Sequence, residues 1–95
     1  MPFQGFQRHS FTSSSIRQNA PRSSGVYGIS NANEWVFIGC SENVQTSLLD
    51  HFESAGSALM ARTPTGFMFE PCPLAACGVR RDRLIAELKP ICHQP

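Results

Sequence analysis

The alternation of apolar and polar positions predicts a β-hairpin near the middle of the chain. The stretches "GVYGIS" (25–30) and "EWVFIG" (34–39) both follow the two-residue period of a strand. Between them, Asn31 to Asn33 are residues that tolerate the backbone conformations of a turn. Strict alternation in the second strand would place its side chains on two faces, with Trp35, Phe37 and Gly39 opposed to Val36 and Ile38.

A helical period begins directly after this hairpin. Ser41 or Asn43 can cap a helix whose apolar residues recur at helical spacing, namely Val44, Leu48, Leu49, Phe52 and Ala55. Gly56 weakens the end of this helix, and Pro64 stops any continuation. A third strand is predicted at "GFMFEP" (66–71), a loop at "CPLAACG" (72–78) and a second helix at "VRRDRLIAEL" (79–88). The predicted order of elements is β–β–α–β–α.

Residues 1–24 are predicted to form an N-terminal arm that is rich in Ser, Gln and Arg. In this arm Phe6, His9 and Phe11 fit a short extra strand, or the aromatic residues pin the arm to the domain. We therefore expect a single α+β domain at residues 25–95. Its small, three-stranded and mainly antiparallel sheet packs against helices, and the arm adds a strand or covers an edge.

Composition and charge narrow the functional classes. The 95 residues suit one domain, and 41% hydrophobic with 16% charged residues is typical of a globular chain. A formal net charge of +1 argues against broad electrostatic capture of nucleic acid. No apolar run approaches the roughly 18 residues of a membrane helix, and the first residues lack the apolar region of a secretory signal. We therefore expect a cytoplasmic protein with no membrane partner.

The four cysteines are expected to be reduced thiols, most simply small buried apolar residues: Cys40, Cys72, Cys77 and Cys92. Their uneven spacing does not favour a zinc site, so no metal is expected. A small thiol- or metal-responsive protein remains an alternative function. Cys40 lies where the first helix begins, and a helix N-terminus lowers the pKa of a thiol, which makes Cys40 a candidate reactive cysteine.

Three motifs give the chain a resemblance to a known family. "GVY" (25–27), "FIG" (37–39) with the following "CSENVQTSLLDHF" (40–52), and a final "LKP" (88–90) resemble a GIY-YIG domain. That domain is the nuclease module of homing endonucleases and of the bacterial nuclease of nucleotide-excision repair. The resemblance spans about residues 24–93. It implies a phosphodiester hydrolase built from two tyrosines, an arginine, a glutamate that holds one divalent metal, and an asparagine.

Position by position, this chain keeps one of those five polar side chains. Tyr27 matches the first tyrosine, and the other family-equivalent positions are Phe37, Ser47, Arg81 and His93. Arg81 replaces the metal-binding carboxylate with a cation, and we expect its side chain to point into the pocket where an ion would sit. The resemblance therefore implies a catalytically inactive GIY-YIG-like domain with no catalytic residues and no cofactor, which acts as a binding or interaction module.

The candidate ligand or cleft residues are chosen from positions that match the family and from the positively charged second helix. They are Tyr27, His51, Arg80, Arg81 and Arg83. His51 matches a histidine common in the family's first helix, four residues after Ser47 on the same face. The expected partner is a protein, a small ligand or, weakly, nucleic acid. The alternative is a divergent metal-dependent nuclease, in which a helix arginine replaces the lost one and Glu42 or Glu70 binds Mg²⁺.

Overall fold

A computed structural model of the protein describes residues 8–32, 34–53 and 63–90. Within these residues four strands and three helices follow in the order β1 (His9–Ser10), α1 (Ser13–Asn19), β2 (Gly25–Ser30), β3 (Trp35–Ser41), α2 (Val44–Glu53), β4 (Gly66–Pro71) and α3 (Leu74–Leu88). The strands form one antiparallel sheet in the order β1–β4–β2–β3. The α+β class and the hairpin are confirmed. The described sheet has four strands instead of three, because the N-terminal segment adds β1 beside β4.

The N-terminal segment also forms a helix that the sequence did not indicate. The Thr12 hydroxyl caps α1 by accepting a hydrogen bond of 3.2 Å from the backbone N–H of Ser15. Ile16 of this helix and the preceding Phe11 are both buried. The segment predicted as an arm therefore supplies part of the hydrophobic core.

A bulge in the hairpin changes which residues face each side of the sheet. Ile29 pairs with Phe37, but the next residue, Ser30, pairs with Trp35, so Val36 is the extra residue of β3. Val36 packs in the cluster on one face of the sheet, and Trp35 packs against the cluster on the other. The predicted placement of Trp35 with Phe37 on one face is therefore wrong.

Each face of the sheet has its own apolar cluster. Helices α1 and α2 contribute to the first, whose buried members are Phe11, Ile16, Ala20, Tyr27, Ile29, Val36, Val44, Leu48 and Phe67. Helix α3 contributes to the second, whose buried members are Val26, Ile38, Met68, Cys77 and Leu84. Burying one large apolar side chain is worth about 1.5–3 kcal/mol, so both clusters are needed to hold such a small sheet.

Helix boundaries follow from local sequence chemistry. At the start of α2 the Asn43 side chain accepts a hydrogen bond from the backbone N–H of Thr46 at 3.1 Å, so Asn43 rather than Ser41 caps the helix. Helix α3 begins at Leu74, within the predicted loop, because the alanine-rich turn after Pro73 favours helix and Cys77 is buried there. In the described residues no helix has the length and apolarity to cross a membrane.

Candidate functional site

The hydroxyl of Tyr27 is the centre of a polar cluster between the sheet and α2. Tyr27 is only 4% exposed and lies directly across the hairpin from Gly39. His51, near the end of α2, places its Nε2 atom 2.9 Å from the Tyr27 hydroxyl oxygen. The fold therefore brings together two residues that the sequence placed on separate elements.

Gly39 provides the space for the phenol ring. A Cβ atom at position 39 would lie 2.6 Å from both Cζ and the hydroxyl oxygen of Tyr27, and 2.8 Å from Cε2 of Phe37. These separations are well inside van der Waals contact, so a side chain at position 39 would displace the ring from its place against His51.

Two serines extend the hydrogen bonds of Tyr27 to the start of α2. Ser47 is hydrogen-bonded to the Tyr27 hydroxyl, and its Oγ atom lies 2.6 Å from Oγ of Ser41. The Ser41 hydroxyl in turn accepts a hydrogen bond of 2.9 Å from the backbone N–H of Asn43. Because each hydroxyl both donates and accepts, these groups form one continuous chain that ends at His51.

Burial favours the uncharged forms of Tyr27 and His51. Desolvation raises the pKa of Tyr27 from 10.0 to about 12, although the hydrogen bond with Ser47 acts in the opposite direction. Desolvation also lowers the pKa of His51 below 6.5, opposed by the carboxylate of Asp50. At neutral pH the phenol is therefore protonated and the imidazole is neutral.

Phe37 forms the rim of the cluster. Its ring centroid lies 4.9 Å from that of His51 and 6.1 Å from that of Tyr27. Phe37 and His51 are both partly exposed, whereas Tyr27 is buried. The accessible surface of the site is thus an aromatic ring and an imidazole, with the phenol beneath them.

The arginines of α3 belong to the opposite side of the sheet from Tyr27. Arg81 forms an ion pair of 3.1 Å with the neighbouring Asp82, and its side chain is 40% exposed. Arg83 is exposed. Among the described contacts, Arg81 is therefore on the surface of α3, and its expected orientation into a pocket beside Tyr27 is not observed.

Arg80 has a separate structural partner. Its guanidinium donates two hydrogen bonds to the Glu70 carboxylate, of 2.9 Å from Nε and 3.0 Å from Nη2. This bidentate geometry joins α3 to the end of β4. The structure therefore brings Tyr27, Phe37, Ser47 and His51 together, and it leaves the three arginines apart from them. His93 lies outside the described residues.

The residues around Tyr27 do not fit the divalent metal of the GIY-YIG family. Their hydrogen-bonded groups are a phenol, hydroxyls and an imidazole, and among the described residues the single carboxylate that acts on them electrostatically is that of Asp50, whereas Mg²⁺ prefers several oxygen ligands that include carboxylates. Of the two carboxylates considered as replacements, Glu70 is bonded to Arg80, and Glu42 is exposed before the start of α2. In residues 8–32, 34–53 and 63–90 no group of three or more His, Cys, Asp or Glu side chains is placed to hold a metal ion.

The cysteines differ from the expected set of reduced thiols. Cys40 and Cys77 form a disulfide that joins β3 to α3, with their Cα atoms 5.7 Å apart. Cys72 is free and partly buried, and Cys92 lies outside the described residues. The sequence does not predict the pairing, because the two residues are 37 positions apart and the pattern places Cys77 in a loop. Burial of Cys77 within α3 brings its sulfur to the sheet.

Ser41 is the member of the cluster that sequence reasoning assigned only to helix capping. Its position six residues before Ser47, between the strand and the helix, is compatible with contact between their hydroxyls.

Comparison of the chain with protein-family models, with curated proteins and with solved structures found no match. The GIY-YIG resemblance therefore rests on the motifs in the sequence.

Proposed function

We propose that this chain is a non-catalytic GIY-YIG-like module that binds a protein partner through the surface over Tyr27. The observation that carries the proposal is that Ser47 and His51, the described hydrogen-bond partners of the Tyr27 hydroxyl, are both uncharged at neutral pH. Phosphodiester hydrolysis requires a cation or metal against the charge that grows on the phosphate oxygens. Loss of one such contact costs roughly 10²–10³ in rate in known enzymes.

The ionisation of Tyr27 supports the same conclusion. A tyrosine that activates water must accept its proton, which is easiest for a phenolate. With a pKa of about 12, Tyr27 is a phenolate in only about one molecule in 10⁵ at pH 7. Ser47 occupies the position of the family arginine, so no guanidinium from that position lowers this pKa.

The exposed part of the cluster supports binding. Phe37 offers a partly exposed apolar ring, and Nδ1 is the remaining ring nitrogen of the partly exposed His51, because its Nε2 is bonded to Tyr27. A protein partner would pack an apolar side chain on Phe37 and form a hydrogen bond with Nδ1. Nucleic acid is the weaker choice because the net charge is +1 and the guanidinium groups of Arg80 and Arg81 are paired with carboxylates.

One observation favours a second candidate, the divergent nuclease. The 2.9 Å contact between Tyr27 and His51 would allow the imidazole to accept the phenol proton. This candidate needs a carboxylate near the phenol. Glu70 is bonded to Arg80, so the requirement falls on Glu42 or on Asp50, whose carboxylate acts electrostatically on both Tyr27 and His51.

The binding proposal is tested by placing a photo-crosslinking amino acid at position 37 and irradiating the protein in an extract of its host cells. We expect one protein partner to be crosslinked, and we expect His51→Ala to reduce its yield at least tenfold. Arg83→Ala, which changes an exposed residue on α3, is the matched control and should leave the yield unchanged. Crosslinks to nucleic acid alone, or a yield that is lost with Arg83→Ala but not with His51→Ala, would overturn the proposal.

A further inference from the structure

We propose that Cys40 and Cys77 form a reversible thiol–disulfide exchange site, whose oxidation state is transmitted to the Tyr27–His51 cluster through residues 39–41. The disulfide joins the outer strand of the described sheet to the first half of α3. This proposal does not depend on the binding function proposed above. The thiol–disulfide exchange and its effect on the cluster can both be measured on the isolated protein.

The two cysteine residues differ in burial. Cys40 is partly exposed, whereas Cys77 is fully buried. An external thiolate therefore reaches the sulfur of Cys40, and Cys77 is the leaving group. The Cys77 sulfur lies 3.0 Å from the carbonyl oxygen of Gly25. After reduction, this oxygen accepts a hydrogen bond from the new S–H group of Cys77. The buried thiol of the reduced form therefore has a hydrogen-bond partner.

The co-reactant is a dithiol reductant. One of its thiolates attacks Sγ of Cys40, the bond between the two protein sulfurs breaks, and Cys77 leaves as a thiolate that takes a proton from water. The second thiol of the reductant loses its proton and attacks the mixed disulfide at the reductant's own sulfur, and Cys40 leaves and is protonated. Two electrons pass from the reductant to the protein, which gains two thiols, and the reductant becomes a disulfide. Oxidation is the reverse reaction.

Cys72 packs against the same apolar cluster and is outside the disulfide. Desolvation raises the pKa of its thiol, and the carboxylate of Glu70 acts in the same direction, which disfavours the thiolate that would attack the bond between Cys40 and Cys77.

Three consecutive residues of β3 connect the disulfide with the cluster. Gly39 lies against the ring of Tyr27 with no room for a side chain, Cys40 is bonded to Cys77, and Ser41 is hydrogen-bonded to Ser47. Releasing Cys40 from α3 frees the residue between two contacts of the cluster. The oxidation state of the pair therefore changes the position of the Tyr27 ring and its hydrogen bonds.

The chemistry is tested in a Cys72→Ser/Cys92→Ser protein, in which Cys40 and Cys77 are the remaining cysteines. Alkylation in denaturant should label neither cysteine before treatment with dithiothreitol and both after it. Trp35, the single tryptophan, packs against the cluster that contains Cys77, and its emission should rise on reduction because disulfides quench indole fluorescence. Two labelled cysteines in protein exposed to air would overturn the proposal.

Transmission is tested by NMR of the His51 ring, assigned with His51→Gln. We expect the His51 resonances to shift when dithiothreitol is added and to return on reoxidation. A Cys40→Ala/Cys77→Ala protein is the control and should show no shift.

If the serine variants do not fold, peptide mapping of the wild-type protein by mass spectrometry should show the linked Cys40 and Cys77 peptides. Complete reduction without any change at His51, or the absence of that linked peptide, would contradict the proposal.

Discussion

The Tyr27 hydroxyl and the Nε2 atom of His51, 24 residues apart in the chain, are joined by a hydrogen bond of 2.9 Å. This contact joins α2 to β2, one of the two inner strands of the described sheet. Both groups are uncharged at neutral pH, and burial widens the pH range over which each stays uncharged. The arrangement holds the phenol against the imidazole with its pKa raised rather than lowered.

The ionisation of Tyr27 can be measured directly because it is the single tyrosine of the chain. Absorbance at the phenolate band should give a pKa of about 12 in the folded protein and about 10 in denaturant. Since the folded state favours the neutral phenol, its stabilising contribution is fully present below pH 10 and is lost as the pH rises from 10 towards 12. Titration of the folded protein near pH 10 would show that the phenol is exposed.

His51 should make stability depend on pH in the acidic range. Its pKa is lowered from 6.5 in the folded protein, so the unfolded chain binds a proton more readily. The contribution of neutral His51 is present above pH 6.5 and is lost as the pH falls from 6.5 through the lowered pKa. Urea unfolding at pH 7.5 and pH 5.5 should show this loss, and His51→Gln should make it smaller. An equal loss in both proteins would assign the effect to other groups.

Two glycine substitutions should act in opposite directions. Gly39→Ala forces a methyl group into the Tyr27 ring, and overpacking of this kind costs about 1–3 kcal/mol of the free energy of unfolding. Gly78→Ala is the matched control, because no atom lies within 4 Å of its added Cβ and the residue is inside α3. Removing a helical glycine stabilises a protein by about 0.5–1 kcal/mol. Denaturant unfolding of both variants checks this, and equal effects would contradict the described position of the ring.

The disulfide should contribute measurably to stability. Cys40 and Cys77 are 37 residues apart, and closing a loop of that length is worth about 4 kcal/mol through the entropy of the unfolded chain. Urea unfolding with and without dithiothreitol measures the difference. Cys72→Ser should leave that difference unchanged, because Cys72 is outside the bond. Identical unfolding curves in both conditions would show that the pair does not crosslink the folded protein.

The sequence predicted the elements that carry their own periodic signal. The hairpin, α2 and β4 follow from two-residue and helical spacing. Helix α1 could not be predicted in this way because it has one buried apolar residue, Ile16, in a serine-rich run. Its C-terminal end is held by tertiary contact, through hydrogen bonds of 3.1 and 3.3 Å from the Gln45 side chain to the backbone oxygens of Arg17 and Ala20.

In the candidate site, too, residues on recognisable motifs could be predicted, and contacts between separate elements could not. Spacing along the motifs identified Tyr27, Phe37, Ser47 and His51, which lie together in the structure. The role of Ser41 and the pairing of cysteines depend on distances between elements, which no periodic pattern records. The position of Arg81 could not be predicted for the same reason, because the side of the sheet on which α3 packs is a property of the whole fold.

Cleavage of labelled single- and double-stranded DNA and RNA, with Mg²⁺ or Mn²⁺, is the most direct test of a non-catalytic site at Tyr27. The wild-type protein and Tyr27→Phe, which removes one oxygen atom from the cluster, should be purified and assayed in parallel. We expect both proteins to leave every substrate at the level of the buffer control. Metal-dependent cleavage by the wild-type protein that is lost in Tyr27→Phe would contradict this expectation and establish a divergent nuclease.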